Sequence, residues 1–145
     1  MESKRIEIKK KKKMNNLKIG SIGTVSKTIS ESDIYLFAGI IGDFNPIHVN
    51  EEFAKRTKFG TRIVYGMLLC SFFHSAISSL FKDLQVIYLS QKVKFIAPAI
   101  IGDTIFAEAK VIQKINQENR LLLKTTMKNQ KGKIIVDGEA IIRLF

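Results

Sequence analysis

The chain has 145 residues, with 24 Lys/Arg against 13 Asp/Glu, a formal net charge of +11 and a single cysteine. That length suits one domain with a core of its own, and one cysteine excludes an intramolecular disulfide. No apolar run approaches the roughly 20 residues that cross a bilayer, and the basic N-terminus does not lead into an apolar signal core, so a cytoplasmic protein is expected. The charge is uneven, since residues 1–13 carry +5 and include the lysine run Lys9 to Lys13. Such a run is most often a solvated tail, and without aromatic residues it offers no stacking platform, so nucleic acid is not an expected partner. Residues 1–16 are therefore read as a disordered tail, with Met14 an alternative start, and residues 17–145 as a single domain.

Ser21 to Ile29 alternates as a strand, and Ser30 followed by Asp33 signals the N-cap of a helix running through Ile40. That helix leads into FAGIIGDFNPIH, Phe37 to His48, which sets Asp43 and His48 five residues apart around Gly42, Asn45 and Pro46. Gly42 permits a tight turn, and Pro46 pushes Asn45 out of helical geometry, so the polar side chains are expected on an irregular turn. A carboxylate and an imidazole on one turn can share a water, and their environments can tune each as an acid or base near neutral pH. Taken singly, Asp43 and Asn45 are more often turn formers and a lone His more often satisfies a core hydrogen bond. The whole string, followed by a second block, points to chemistry.

Asn50 is a good N-cap for a short helix from Glu51 to about Arg56, whose first-turn glutamates complement the helix dipole. The second block is FGTRIVYGMLL, Phe59 to Leu69, where Gly66 opens an apolar helix to about Phe81 that lacks a clean polar face and is expected to be buried nearly all round. Cys70 within it reads as filler rather than a nucleophile, because no histidine adjoins it. From Gln85 on, β-rich segments at Val86–Phe95, Thr104–Ile115, Arg120–Lys128 and Lys133–Leu144 are separated by Pro98, Gly102, Asn116 to Asn119 and Lys131-Gly132. They predict a meander, hence an α+β domain with an antiparallel sheet wrapped round a helix. The poor alternation of Leu121-Leu122-Leu123 and Ile134-Ile135-Val136 is consistent with strands covered on both faces.

Together FAGIIGDFNPIH, FGTRIVYGMLL, the piece KFIAPAIIGDTI (Lys94 to Ile105) and the closing VDGEAIIRL resemble the MaoC-like family of hot-dog proteins, in particular the R-specific enoyl-CoA hydratases, from about Ile19 to the C-terminus. The resemblance implies a hot-dog fold with the Gly66 helix at its centre. It also implies that Asp43 and His48 hold one water for addition to a trans-2-enoyl-CoA, giving the (R)-3-hydroxyacyl thioester in a reversible reaction. Asn45 would then orient that water or the Asp43 carboxylate through its amide. The Gly66 N–H, at a helix start where N–H groups lack internal partners, would receive the developing thioester oxyanion. Tyr65, Phe59, Gly60 and Met67 would contact the substrate. Relatives often carry His where this chain has Tyr65, a difference that bears on chain-length preference more than on reaction type.

Metal chemistry is not implied, because His48 and His74 are the only histidines and no paired ligand spacing occurs. Glycine loops for nucleotides are also missing, so no cofactor is expected beyond water and the CoA thioester. His74 is read as a packing or interface residue, and several lysines and Arg62 are candidate phosphate ligands. Two alternatives remain: a hot-dog thioesterase attacking the thioester carbon, and an idle acyl-CoA-binding or sensing protein. The complete GDxNPxH string argues against the first, and retention of both Asp43 and His48 against the second. Small hot-dog domains usually pair so that two sheets become one, so a homodimer at least is expected.

Overall fold

In strand β4 (Arg120–Asn129) the side chains of Leu121, Leu123, Thr125 and Met127 are buried while Leu122, Lys124 and Thr126 between them are half-buried, the two-residue alternation of a sheet with one face on the core. The computed structural model describes residues 17–82, 84–115 and 119–145, with Glu2, Lys4, Arg5 and Ile8. The reading of residues 1–16 as a tail otherwise falls outside them, as does the loop over residues 116–118. Around β4 lie β1 (Ile22–Thr28), β2 (Val86–Phe95), β3 (Thr104–Ile115) and β5 (Ile134–Leu144), all antiparallel. Their spatial order is β1-β3-β4-β5-β2. Only β3, β4 and β5 form a meander, which corrects the expectation that all four C-terminal strands do: β2 lies beyond β5 at the far edge.

The sheet packs on the central helix α4 (Gly66–Leu80), which buries Leu69, Phe73, Ala76 and Ile77 in a stripe at helical spacing. Ser71, His74, Ser75 and Ser78 share its exposed side. The helix is thus not buried all round, because the sheet covers it from one side and its small hydroxyl residues supply the polar face. Strand β1 crosses it closely: a Cβ on Gly23 would lie 2.1 Å from the Ala76 carbonyl oxygen. This is the hot-dog arrangement, an antiparallel sheet around a central helix.

Before the central helix come α1 (Glu31–Ile41), α2 (Pro46–Val49) and α3 (Glu51–Ala54). Helix α1 starts with the expected capping box: the Asp33 N–H donates to Ser30 Oγ at 3.2 Å and the Ser30 N–H to Asp33 Oδ2 at 2.8 Å. It ends at Gly42, whose φ of 71° closes the helix in the left-handed region. Helix α3 begins at Asn50, whose Oδ1 accepts the Phe53 N–H at 2.9 Å. No helix among the described residues is long and apolar enough to cross a membrane.

Candidate active site

The segment after Gly42 folds on itself through short polar bonds. The Asn45 N–H donates to Asp43 Oδ1 at 3.0 Å, and Asn45 Oδ1 accepts the Ile47 N–H at 3.1 Å. Asn45 therefore caps α2, with Pro46 in the first turn where a missing N–H costs nothing. His48 consequently sits on one turn of helix rather than on an irregular turn. Asn45 is out of helical geometry as expected, but the reading that put His48 on the irregular turn with it overlooked Asn45 as a cap. The geometry also places the Asn45 side-chain oxygen on the helix cap, and it is the Asn45 backbone N–H that orients the Asp43 carboxylate.

His48 Nδ1 lies 2.7 Å from the Ile63 carbonyl oxygen. A carbonyl can only accept, so Nδ1 is the donor in this bond, and the tautomer it selects leaves Nε2 as the acceptor nitrogen. The imidazole stacks on the Tyr65 ring with centroids 3.8 Å apart and planes 29° from parallel. The Tyr65 hydroxyl donates to the Asp43 carbonyl oxygen at 2.6 Å, and its ring meets Phe37 at 5.3 Å. Burial, with the Asp43 charge adding to it, pushes the Tyr65 phenol above its ordinary pKa.

Asp43, His48, Tyr65 and Gly66 line one cavity of about 610 Å³, together with Phe59 and Met67. Six of the eight residues singled out from sequence thus meet around one space. Asn45 and Gly60 do not line it: Asn45 caps α2, and Gly60, with φ of 71°, shapes the loop after α3. The sequence did not single out the wall that Phe95, Ile96, Ala97 and Pro98 form at the end of β2. Nor did it reveal the Ile63 carbonyl, whose role depends on a fold-back of 15 residues. The sequence cue for that wall was the Pro98 turn, which ends β2 beside α4.

Gly66 begins α4 with no side-chain cap at Tyr65, so the first N–H groups of that helix lack partners from the helix itself. A Cβ on Gly66 would lie 2.7 Å from Phe95 Cε1, so the bare position lets the aromatic wall close against the helix start. Arg62, a candidate phosphate ligand on sequence, is engaged elsewhere. Its guanidinium bonds Glu31 Oε1 at 2.5 Å, Glu51 Oε2 at 3.2 Å and the Tyr35 hydroxyl at 3.2 Å, tying α1 to α3. His74 is exposed and stacks on Tyr88 at 5.6 Å, whereas Cys70 is half-buried and burial raises its thiol pKa. Among the described residues no cluster of three His, Cys, Asp or Glu side chains is placed to hold a metal. A second hollow, about 450 Å³ between β1, β3 and β4, contains none of these motif residues.

An imidazole, a carboxylate, a bare helix start and an apolar wall thus surround one space on a hot-dog frame. The chain belongs to the MaoC like domain family, whose model matches residues 15–132, and it is a hydro-lyase. It is 41% identical over 127 residues to an (R)-specific enoyl-CoA hydratase of Rhodospirillum rubrum, covering 88% of each chain. It is 33% identical to a mitochondrial 3-hydroxyacyl-[acyl-carrier-protein] dehydratase of Arabidopsis thaliana, covering 86% of this chain and 75% of that one. The solved (R)-hydratase from A. caviae superposes with a TM-score of 0.84 at 33% identity, over 88% of this chain and 97% of that one.

Proposed function

We propose that the protein adds water to trans-2-enoyl-CoA, giving (R)-3-hydroxyacyl-CoA, and catalyses the reverse dehydration. The observation that carries this reading is the convergence of Asp43, His48 and the Gly66 helix start on one apolar-walled cavity. In this mechanism the water lies between the Asp43 carboxylate and His48 Nε2. The pair takes one proton of the water as its oxygen bonds to C3, and that same proton is then delivered to C2, so both groups end in their starting states. As C3 is attacked, charge flows to the thioester oxygen, where the unpartnered N–H of Gly66 stabilises it. Water and the thioester suffice, without metal or redox cofactor. The CoA thioester is favoured over the carrier-protein thioester by the higher identity to the Rhodospirillum rubrum hydratase.

The active form in this reading is a homodimer joined along β2, in the cytoplasm. Among the described residues β2 pairs only with β5, its Ile87 and Leu89 are exposed, and Phe95 and Ile96 at its end are exposed beside the cavity. A partner there covers the apolar mouth of the site. Light scattering at micromolar concentration is expected to give a dimer, and Leu89→Lys to weaken it; a monomeric wild type would reject the pairing.

Loss of enoyl-thioester absorbance tests the reaction with crotonyl-CoA, longer enoyl-CoAs and the matching carrier-protein thioesters, with the product configuration determined. Hydration to the R product that vanishes in Asp43→Asn is expected. CoA release without hydration would mean a thioesterase, and binding without turnover a sensor.

A further inference from the structure

We infer that Tyr65 is a positioning residue for the water-activating pair, holding Asp43 through its hydroxyl and His48 through its ring. The inference rests on the hydratase reading, which uses this side chain only as cavity lining.

Tyr65 occupies the N-cap position of α4, where Ser, Thr, Asp or Asn would bond the first N–H groups, and it makes no such bond. Helix initiation therefore does not account for a tyrosine here. Its side chain is only 4% exposed, and a buried phenol needs a partner. That partner is the main-chain oxygen of Asp43, 22 residues earlier, at 2.6 Å. Since Asp43 Oδ1 already accepts the Asn45 N–H, anchoring the Asp43 backbone also fixes where its second carboxylate oxygen points.

The imidazole is constrained by the same side chain in a complementary way. The bond from Nδ1 to the Ile63 carbonyl stops the His48 ring from spinning, and the Tyr65 stack at 3.8 Å fixes its plane. Phe37, packed on Tyr65, keeps that plate in place. One buried phenol thus links the start of α4, which supplies the Gly66 N–H, to both groups that handle the water. Because its pKa is pushed up, the hydroxyl stays protonated, and so a donor, across the neutral range.

Two substitutions separate the contacts. Tyr65→Phe keeps the ring and loses the hydroxyl, while Tyr65→Leu loses both. Positioning predicts a fall in kcat of about tenfold for Phe and about a hundredfold for Leu, with KM within about twofold, since a displacement of an ångström costs rate on that scale. In a His74→Gln background, which leaves His48 as the only histidine, the Tyr65 ring current should shift the imidazole proton signals in wild type and in Tyr65→Phe, and not in Tyr65→Leu. Unchanged kcat in Tyr65→Phe and Tyr65→Leu, a change in KM alone, or imidazole signals that ignore Tyr65→Leu would overturn the inference. If Tyr65→Leu does not fold, Tyr65→Phe decides by kcat against KM. A wild-type chain that hydrates no enoyl thioester would instead overturn the function itself and, with it, the catalytic consequence of Tyr65. That result differs from an active wild type whose variants keep full kcat, which rejects Tyr65 alone.

Discussion

The turn from Gly42 to His48 and the centre of the sheet are built in opposite ways. In β3, β4 and β5 the inward residues Ala109, Val111, Leu123, Met127, Ala140 and Ile142 have no exposed surface, and long ladders, each with one register shift, join the strands. The turn is exposed from Gly42 to Pro46, and none of α2 is fully buried. A few nameable bonds hold it: three within the turn, including the His48 N–H to the Asn45 carbonyl at 3.0 Å, one from Tyr65, one from His48 to Ile63, and the Ile63 N–H to the Ile47 carbonyl at 3.3 Å. In the proposed function the chemistry is thus carried on a lightly held segment fixed against a rigid scaffold. Rate and stability should therefore come apart under mutation.

The largest expected separation is at Asp43. Asp43→Asn keeps the size of the side chain and can still accept the Asn45 N–H, yet removes the charge, so hydration should fall by about 10²- to 10⁴-fold. Its thermal midpoint should stay within a degree or two of wild type. A loss of activity that tracked a loss of fold would break the contrast. Gly23→Ala should behave in the opposite way. Its Cβ would lie 2.1 Å from the Ala76 carbonyl oxygen and 3.0 Å from Leu80 Cβ, neither of them the far end of a flexible side chain. A destabilisation of about 1–3 kcal/mol or more in denaturant unfolding is expected, with turnover per folded molecule unchanged.

Gly66→Ala sits between these limits, because its Cβ would meet the ring of Phe95, which can turn away, and the backbone N–H survives. We expect stability within about 1 kcal/mol of wild type and a fall in kcat/KM of about tenfold as the displaced Phe95 ring crowds the thioester. Restoration by Gly66→Ala/Phe95→Leu would identify that crowding as the cause. No restoration would place the loss at the helix start itself.

What the sequence disclosed follows the same division, with range as the deciding variable. The Ser30–Asp33 box and the Asn50 cap bond within three residues, and both were legible from residue types alone. So were the strands and the pairing of Asp43 with His48 on one segment, and the family resemblance supplied the hot-dog frame. The position of β2 beyond β5 was not legible, because Val86 pairs with Leu144 across most of the C-terminal half and nothing local encodes that choice. Helix α2 escaped because Asn45 and Pro46 read equally well as a turn and as a cap with its first residue. The polar side of α4 escaped because Ser71, Ser75 and Ser78 are small hydroxyls in an apolar setting. The engagement of Arg62 could not be read either, since it reaches Glu31 across 31 residues.

The Arg62 network gives the smallest effect and a pH dependence of definite sign. Arg62, through its hydrogen bond and charge, holds the Glu31 carboxyl below its ordinary pKa. At Glu51, desolvation pushes the carboxyl up, but the Thr61 hydroxyl, the Arg62 N–H and the guanidinium outweigh it, and the net shift is also downward. A carboxyl whose folded pKa lies below its unfolded value contributes stability above that unfolded value, about 4.3 for Glu, and loses it as pH falls through the folded pKa. The Glu31 side chain is 55% exposed, so solvent and salt screen the pair and the contribution is modest. Arg62→Leu should therefore lower the thermal midpoint by a few degrees at pH 7 and flatten its fall between about pH 5 and 3, and the two proteins should converge in acid. Since the network braces α1 and α3 on either side of the Asp43–His48 turn, kcat at pH 7 measured alongside shows whether the turn needs that brace. An unchanged kcat would mean that Tyr65 and the Ile63 carbonyl suffice to hold it.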